Sequence, residues 1–231
     1  MVKKGFVALS IFIIILLLHT SSTLANWYAG SRRNPIANGI QSYISTPPSA
    51  LNLIHRGVSG VSSWISSYYA DDNGTDWLQT GWHYYYWDST PKQYVEWCVN
   101  CDGNQGTYEM HDNFANQNWG NVIQYWVSRD NYTSRWCAYT DGVVRFCVNN
   151  LHNRPVIILA ETEIHETSMN PINTLFSNVM YKSPTDNVWR LFDDQTTWFK
   201  NFPYDIHIYS DSYFHTYRIV TQEIFLPLII K

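Results

Sequence analysis

The stretch "DWLQTGWHYYYW", Asp76 to Trp87, decides how the chain is read. Its aromatic density suits a pleated strand, yet a glutamine stands in its middle. A buried amide without partners costs roughly 1–3 kcal/mol, so Gln79 needs either neighbouring backbone or a chemical task. Successive side chains of a strand point to opposite faces. Trp77, Gln79, Gly81, His83 and Tyr85 therefore share one face, and Leu78, Thr80, Trp82, Tyr84 and Tyr86 share the other. Gly81 leaves room beside the amide for another backbone or a ligand. The Gln79 face reads as the lining of a groove.

Working outward, strand follows strand. "PKQYVEWCV", "NVIQYWVSR", "SRWCAYT", "VVRFCV", "PVIILAETEIHE", "NVWRLF", "DIHIYS" and "YFHTYRIV" are separated by turn signals such as "CDGNQG", "RDNYT" and "SPTDN". The Asp-Gly of "TDGV" (Thr140 to Val143) predicts a tight hairpin. "INTLFSNVM" (Ile172 to Met180) reads as the one helical or irregular apolar segment. Many short alternating strands without an internal repeat predict an all-β, antiparallel β-sandwich. Residues 26–65, with "STPPSA", read as an N-terminal arm or linker, and 66–231 as the sandwich domain.

The first 25 residues have the layout of a secretory signal peptide: Lys3 and Lys4, an apolar run from Phe6 to Leu18, then "TLA" ending at Ala25. The run is short for a membrane span, so a secreted, extracellular or cell-surface protein with no membrane attachment after cleavage is expected. Roughly 200 residues then remain, enough for one core. The net charge of −4 becomes −6 without the two leader lysines, and no basic cluster interleaves with aromatics, which argues against nucleic acid. Charged residues are 15% and aromatics 16%, so the polar load falls on uncharged groups that acid barely alters.

Cys98, Cys101, Cys137 and Cys147 make an even set, which in an exported chain reads as two disulfides. One pairing bridges Cys137 and Cys147 across the hairpin; the alternatives link the hairpin to Cys98 or Cys101. "CVNC" lacks the second spaced pair that zinc would need. Asn73 and Asn131 head glycosylation sequons. "DDNGTD" (Asp71 to Asp76) offers hard oxygens but lacks the closing Glu of a calcium loop, and "EIHET" is not a zinc-protease HExxH. No metal and no cofactor are expected. His83 and His165 are read as satisfied strand residues.

Two further carboxylates stand out. In "VIILAETEIHE", Glu161 and Glu163 share a face with Ile157 and Leu159, so burial should raise the Glu161 pKa and make it a proton acceptor in mild acid. Glu96 in "YVEW" is likewise embedded among apolar neighbours. The segments "WLQTGW", "YVEW" and "LAETEI" resemble, in order, those of eqolisin-type glutamic peptidases and, more distantly, neprosin-type peptidases. The resemblance spans about half the chain, Trp77 to Phe192. It implies a concanavalin-like, glutamic-peptidase-like jelly roll in which Gln79 matches the catalytic glutamine, Glu161 the catalytic glutamate and Glu96 a supporting acid. Glu163, Trp77, Trp82, Tyr84 and Tyr86 are then expected beside the substrate. Lys92 and Cys98 depart from the family's acid and aromatic, and its upstream tryptophan has Trp64 as its candidate here.

The expected partner is accordingly a peptide substrate. The competing expectation is a carbohydrate, stacked on the aromatic lining by a lectin-like module. A third reading is a surface or filament subunit, a homo-oligomer joined through terminal strands such as the apolar "EIFLPLIIK".

Overall fold

The computed structural model describes residues 27–34, 37–49, 60–71, 74–85, 87–101, 106–112, 114–130, 133, 135–149, 151, 157–164 and 173–219. The leader, Asn73, Asn131, Tyr86, His165 and the C-terminal "EIFLPLIIK" lie outside the described residues.

Among the described residues every regular element is a strand. The first four are β1 (Trp27–Arg33), β2 (Gly39–Ser45), β3 (Gly60–Asp71) and β4 (Gly74–Tyr85). Then come β5 (Lys92–Val99), β6 (Thr107–His111), β7 (Val122–Arg129) and the hairpin β8 (Trp136–Thr140) and β9 (Val143–Val148). The last six are β10 (Ile157–Ile164), β11 (Asn173–Lys182), β12 (Trp189–Leu191), β13 (Thr196–Lys200), β14 (Tyr204–Ser210) and β15 (Tyr213–Arg218). They build two antiparallel sheets. One has the order β13-β1-β10-β3-β4-β5-β6; the other runs β14-β15-β11-β2-β7-β8-β9, with β12 added to β11. The expected all-β sandwich is what forms.

The core lies between the sheets and is fed by alternate residues of each strand. Leu78 and Trp82 of β4, Ile65 of β3, Ile158, Ala160 and Ile164 of β10 meet Ile40, Ile44, Tyr125, Val127 and Phe176 of the opposite sheet. Burial of such side chains, each stabilising by about 1.5–3 kcal/mol, fixes which face of each strand points inward. A one-residue slip would exchange the two faces. A chain of hydroxyls crosses the same layer: Thr216 to Thr162 at 2.8 Å, Thr162 to Ser63 at 2.8 Å, and Ser63 to Thr174 at 3.3 Å.

The β8–β9 hairpin turns at Asp141 and Gly142, both at positive φ (47° and 82°), as the Asp-Gly signal requires. Cys137 and Cys147 face each other across it, bridged with their Cα atoms 4.1 Å apart. Cys98 bridges Cys101 at the end of β5, with a Cα separation of 5.9 Å.

Two expectations give way. Within the segment read as an arm or linker, β1 and β2 are interior strands, β1 between β13 and β10 and β2 between β11 and β7. Ile40, Ser42 and Ile44 of β2 are buried in alternation, as a strand packed on the core requires. Residues 172–180 are not helical: their described part, from Asn173, belongs to β11. A register shift between Ser177 and Met180, with Asn178 at φ 50°, adds one residue to β11. That bulge spaces Leu175, Phe176, Val179 and Met180 as a helix would, although Thr174, Phe176 and Val179 are the inward residues.

Candidate active site

The outer face of the seven-stranded sheet carries the site, and strand register builds it in rows. In one row Leu159 of β10 lies opposite Ser66 of β3, Ser66 opposite Gln79 of β4, and Gln79 opposite Glu96 of β5. The next row along the strands reads Gly30, Glu161, Trp64, Gly81 and Tyr94. A third contains Tyr28, Glu163, Ser62, His83 and Lys92. Gln79 and Glu161 are thus two strands and one pleat apart, about 10 Å across and 7 Å along. Both line one open hollow of about 320 Å³, together with Trp64, Ser66, Tyr68 and Trp77.

Glycines set the spacing of the second row. A Cβ on Gly30 would lie 2.5 Å from Cβ of Glu161, and one on Gly81 would lie 2.0 Å from the Ser63 carbonyl oxygen. The room beside Gly81 is therefore occupied by backbone rather than reserved for a ligand.

Gln79 is 8% exposed. Its Nε2 donates to Oε2 of Glu96 at 2.6 Å and to the Tyr94 hydroxyl at 3.2 Å. An amide nitrogen has two hydrogens, so both are engaged, the bond to Tyr94 being the longer. Glu96 is held on its other oxygen by the Tyr108 hydroxyl. Burial raises its pKa, while the bonds from Tyr108 and Gln79 oppose that rise.

Glu161 is different. It is 5% exposed, and among the described residues no donor or cation meets its carboxylate. Burial, and then the charge of Glu163, push its pKa well above the ordinary carboxylate value. Glu163 receives the Tyr28 hydroxyl at 3.0 Å. A carboxyl so placed can take or give a proton near the acid range.

Of the residues expected around a substrate, Trp77, Gln79, Glu96, Glu161 and Glu163 come together. Trp82 and Tyr84 do not. Trp82 is fully buried on the inner face, its Nε1 donating to the Ser45 carbonyl at 3.0 Å, and Tyr84 packs edge-on to Trp119 at 4.9 Å. Strand alternation separates them from Gln79. The sequence reading missed Tyr28, Ser66, Tyr68 and Leu159, which share the hollow, and Tyr94 and Tyr108, which fix the amide and its acid. Counting residues along β3 puts Ser66 and Tyr68 on the face of Trp64, but only the strand order sets that face beside Gln79 and Glu161. Lys92 does not add positive charge to the hollow, because Asp88 holds its Nζ at 2.8 Å and Asp112 lies at 3.8 Å.

The same sandwich is found in scytalido-glutamic peptidase, in a structure with a peptide-based transition-state analogue: TM-score 0.56, 13% identity, covering 84% of this chain and 98% of that one. It is found again in SCP-B of the eqolisin family, bound to the tripeptide Ala-Ile-His: TM-score 0.55, 12% identity, with the same coverage. The fold is glutamic-peptidase-like. A glycosidic hydrolase matches more loosely, with a TM-score of 0.36 over 61% of this chain. No family model and no curated protein matches the sequence.

Proposed function

We propose that the chain is an exported glutamic-type peptidase acting in acid. The observation that carries this reading is the hollow shared by Gln79 and Glu161, one side chain a fixed amide and the other a desolvated carboxyl with no partner among the described residues. Glu161, ionised, takes a proton from a water, which attacks the scissile carbonyl. The tetrahedral oxygen receives an N–H of Gln79, which exchanges its longer bond to Tyr94 for the substrate while Glu96 holds the other hydrogen. Glu161 then gives its proton to the leaving amine. Export rests on the leader sequence, and the two bridges fit an oxidising compartment. The sequons at Asn73 and Asn131 would carry glycans on that route.

The test is hydrolysis of unfolded casein across about pH 2–6 by the natural chain and by Glu161→Gln. The expected loss on substitution is about 100-fold or more. Equal hydrolysis by both rejects the task given to Glu161, and no cleavage by either rejects the enzyme.

The second reading, a carbohydrate-binding module, is favoured by Trp64, Tyr68 and Trp77 lining one hollow, since ring faces stack on sugars. A glycan array blank in acid and at neutral pH removes it. The filament reading loses one end, because β1 pairs within its own sheet.

A further inference from the structure

A second hollow of about 240 Å³ adjoins the first and shares Glu96 and Glu163 with it as common walls. Its remaining lining includes Ser62, His83, Tyr85, Tyr108 and Met110. Two carboxylates and the hydroxyls of four side chains, Ser62, Tyr85, Tyr94 and Tyr108, meet there, and the described lining contains no lysine or arginine. His83 is 1% exposed, and neither ring nitrogen makes a hydrogen bond; the nearest acid, Oδ2 of Asp112, is 3.8 Å away. Burial lowers its pKa to about 4, so above that pH it adds no positive charge. Burial, then the negative field of Glu96 and Glu163, pushes the Tyr85 hydroxyl up to about 12. Lys92 lies in the His83 row, but two aspartates offset its charge. Tyr85 is held between His83, with ring centroids 4.7 Å apart, and a stacked Trp87 at 4.8 Å, which keeps an aromatic face at the rim.

From this we infer that the second hollow is a specificity pocket for a cationic side chain, lysine or arginine, of a peptide lying in the first. Glu163 is its principal acceptor, the hydroxyls of Tyr85 and Ser62 complete the shell of oxygens, and Met110 and the tyrosine rings cover the aliphatic stem. A cation over an aromatic rim gains further from the ring quadrupole. This inference rests on the peptide reading of the first hollow, but not on hydrolysis.

The experiment is calorimetric titration of Glu161→Gln protein, which keeps bound peptide intact, with capped tripeptides that differ at one position: lysine, arginine, norleucine or glutamate. Lysine and arginine peptides are expected to bind about tenfold tighter than norleucine, with glutamate the weakest. Adding Glu163→Gln, which keeps an acceptor for Tyr28, is expected to remove that preference, bringing the lysine and arginine peptides to the norleucine affinity of the same double variant. Equal affinity across the series, no binding by any member, or a preference that survives Glu163→Gln overturns the pocket. The series is also given to the natural chain as substrate. Cleavage blind to charge overturns the pocket and leaves the peptidase standing, whereas charge-selective binding without cleavage does the reverse.

Discussion

The two faces of β3, β4 and β10 are made by the same strands and obey opposite rules. On the inner face, polar groups are satisfied: Thr80 donates to the Tyr94 carbonyl at 2.9 Å, Trp82 to the Ser45 carbonyl, and Ser63 and Thr162 to the hydroxyl chain. On the outer face, Trp64 Nε1, both nitrogens of His83 and the Glu161 carboxylate have no hydrogen-bond partner among the described residues. Burial is similar on both sides, with Trp64 and Glu161 each 5% exposed. What differs is completion. An unpaired buried group weakens the fold by about 1–3 kcal/mol, so a face with several of them is shaped for something other than stability.

The largest effect that separates the faces is expected from paired tryptophan substitutions. Trp82→Ala empties a filled inner site and should destabilise by about 3–5 kcal/mol in chemical denaturation. Trp77→Ala, on the half-buried groove wall, should cost far less stability and weaken peptide binding instead. Comparable destabilisation by the two would break the distinction. Next in size is Thr162→Val, which leaves Ser63 and Thr216 each short of a partner and should destabilise by about 1–3 kcal/mol while leaving catalysis intact.

The smallest effects are pH slopes, each bounded by about 1.4 kcal/mol per pH unit for one group. The folded pKa of Glu161 is raised, so its folded form holds a proton that the unfolded chain has released. Stability is fullest below the unfolded value of 4.5 and falls as pH rises through the folded one, and Glu96 acts in the same direction. His83 has its pKa lowered from 6.5 to about 4, so stability is fullest above 6.5 and declines as pH falls toward 4. The two trends oppose one another in the overlap. Glu161→Gln should leave stability rising with pH from about 4 to 6.5, and His83→Gln should leave it falling above 4.5. Thermal unfolding in a buffer series reads both, and parallel profiles for the two variants would contradict the assignment.

Much of this was legible because the side-chain period of a strand is two. The stretch from Asp76 to Trp87 sorted Gln79 from Leu78 without any coordinates, and the same counting put Glu161 and Glu163 on one face. Placing Trp82 and Tyr84 at the substrate ignored that sorting: an aromatic next to a site in sequence lies behind it in a sheet. Residues 172–180 misled because a bulge at Asn178 imitates helical spacing. Ser66, Tyr68 and Tyr94 escaped notice because their place depends on which strands neighbour one another, and alternation says nothing about that order.

The two glycines beside Glu161 and Trp64 have a consequence for how this face can change. The sheet can exchange the acids of this face for neutral side chains and keep its architecture. It cannot give Gly30 or Gly81 a methyl group without forcing strands apart. The fixed points of this face are therefore its two missing side chains, and they should outlive the acid they frame.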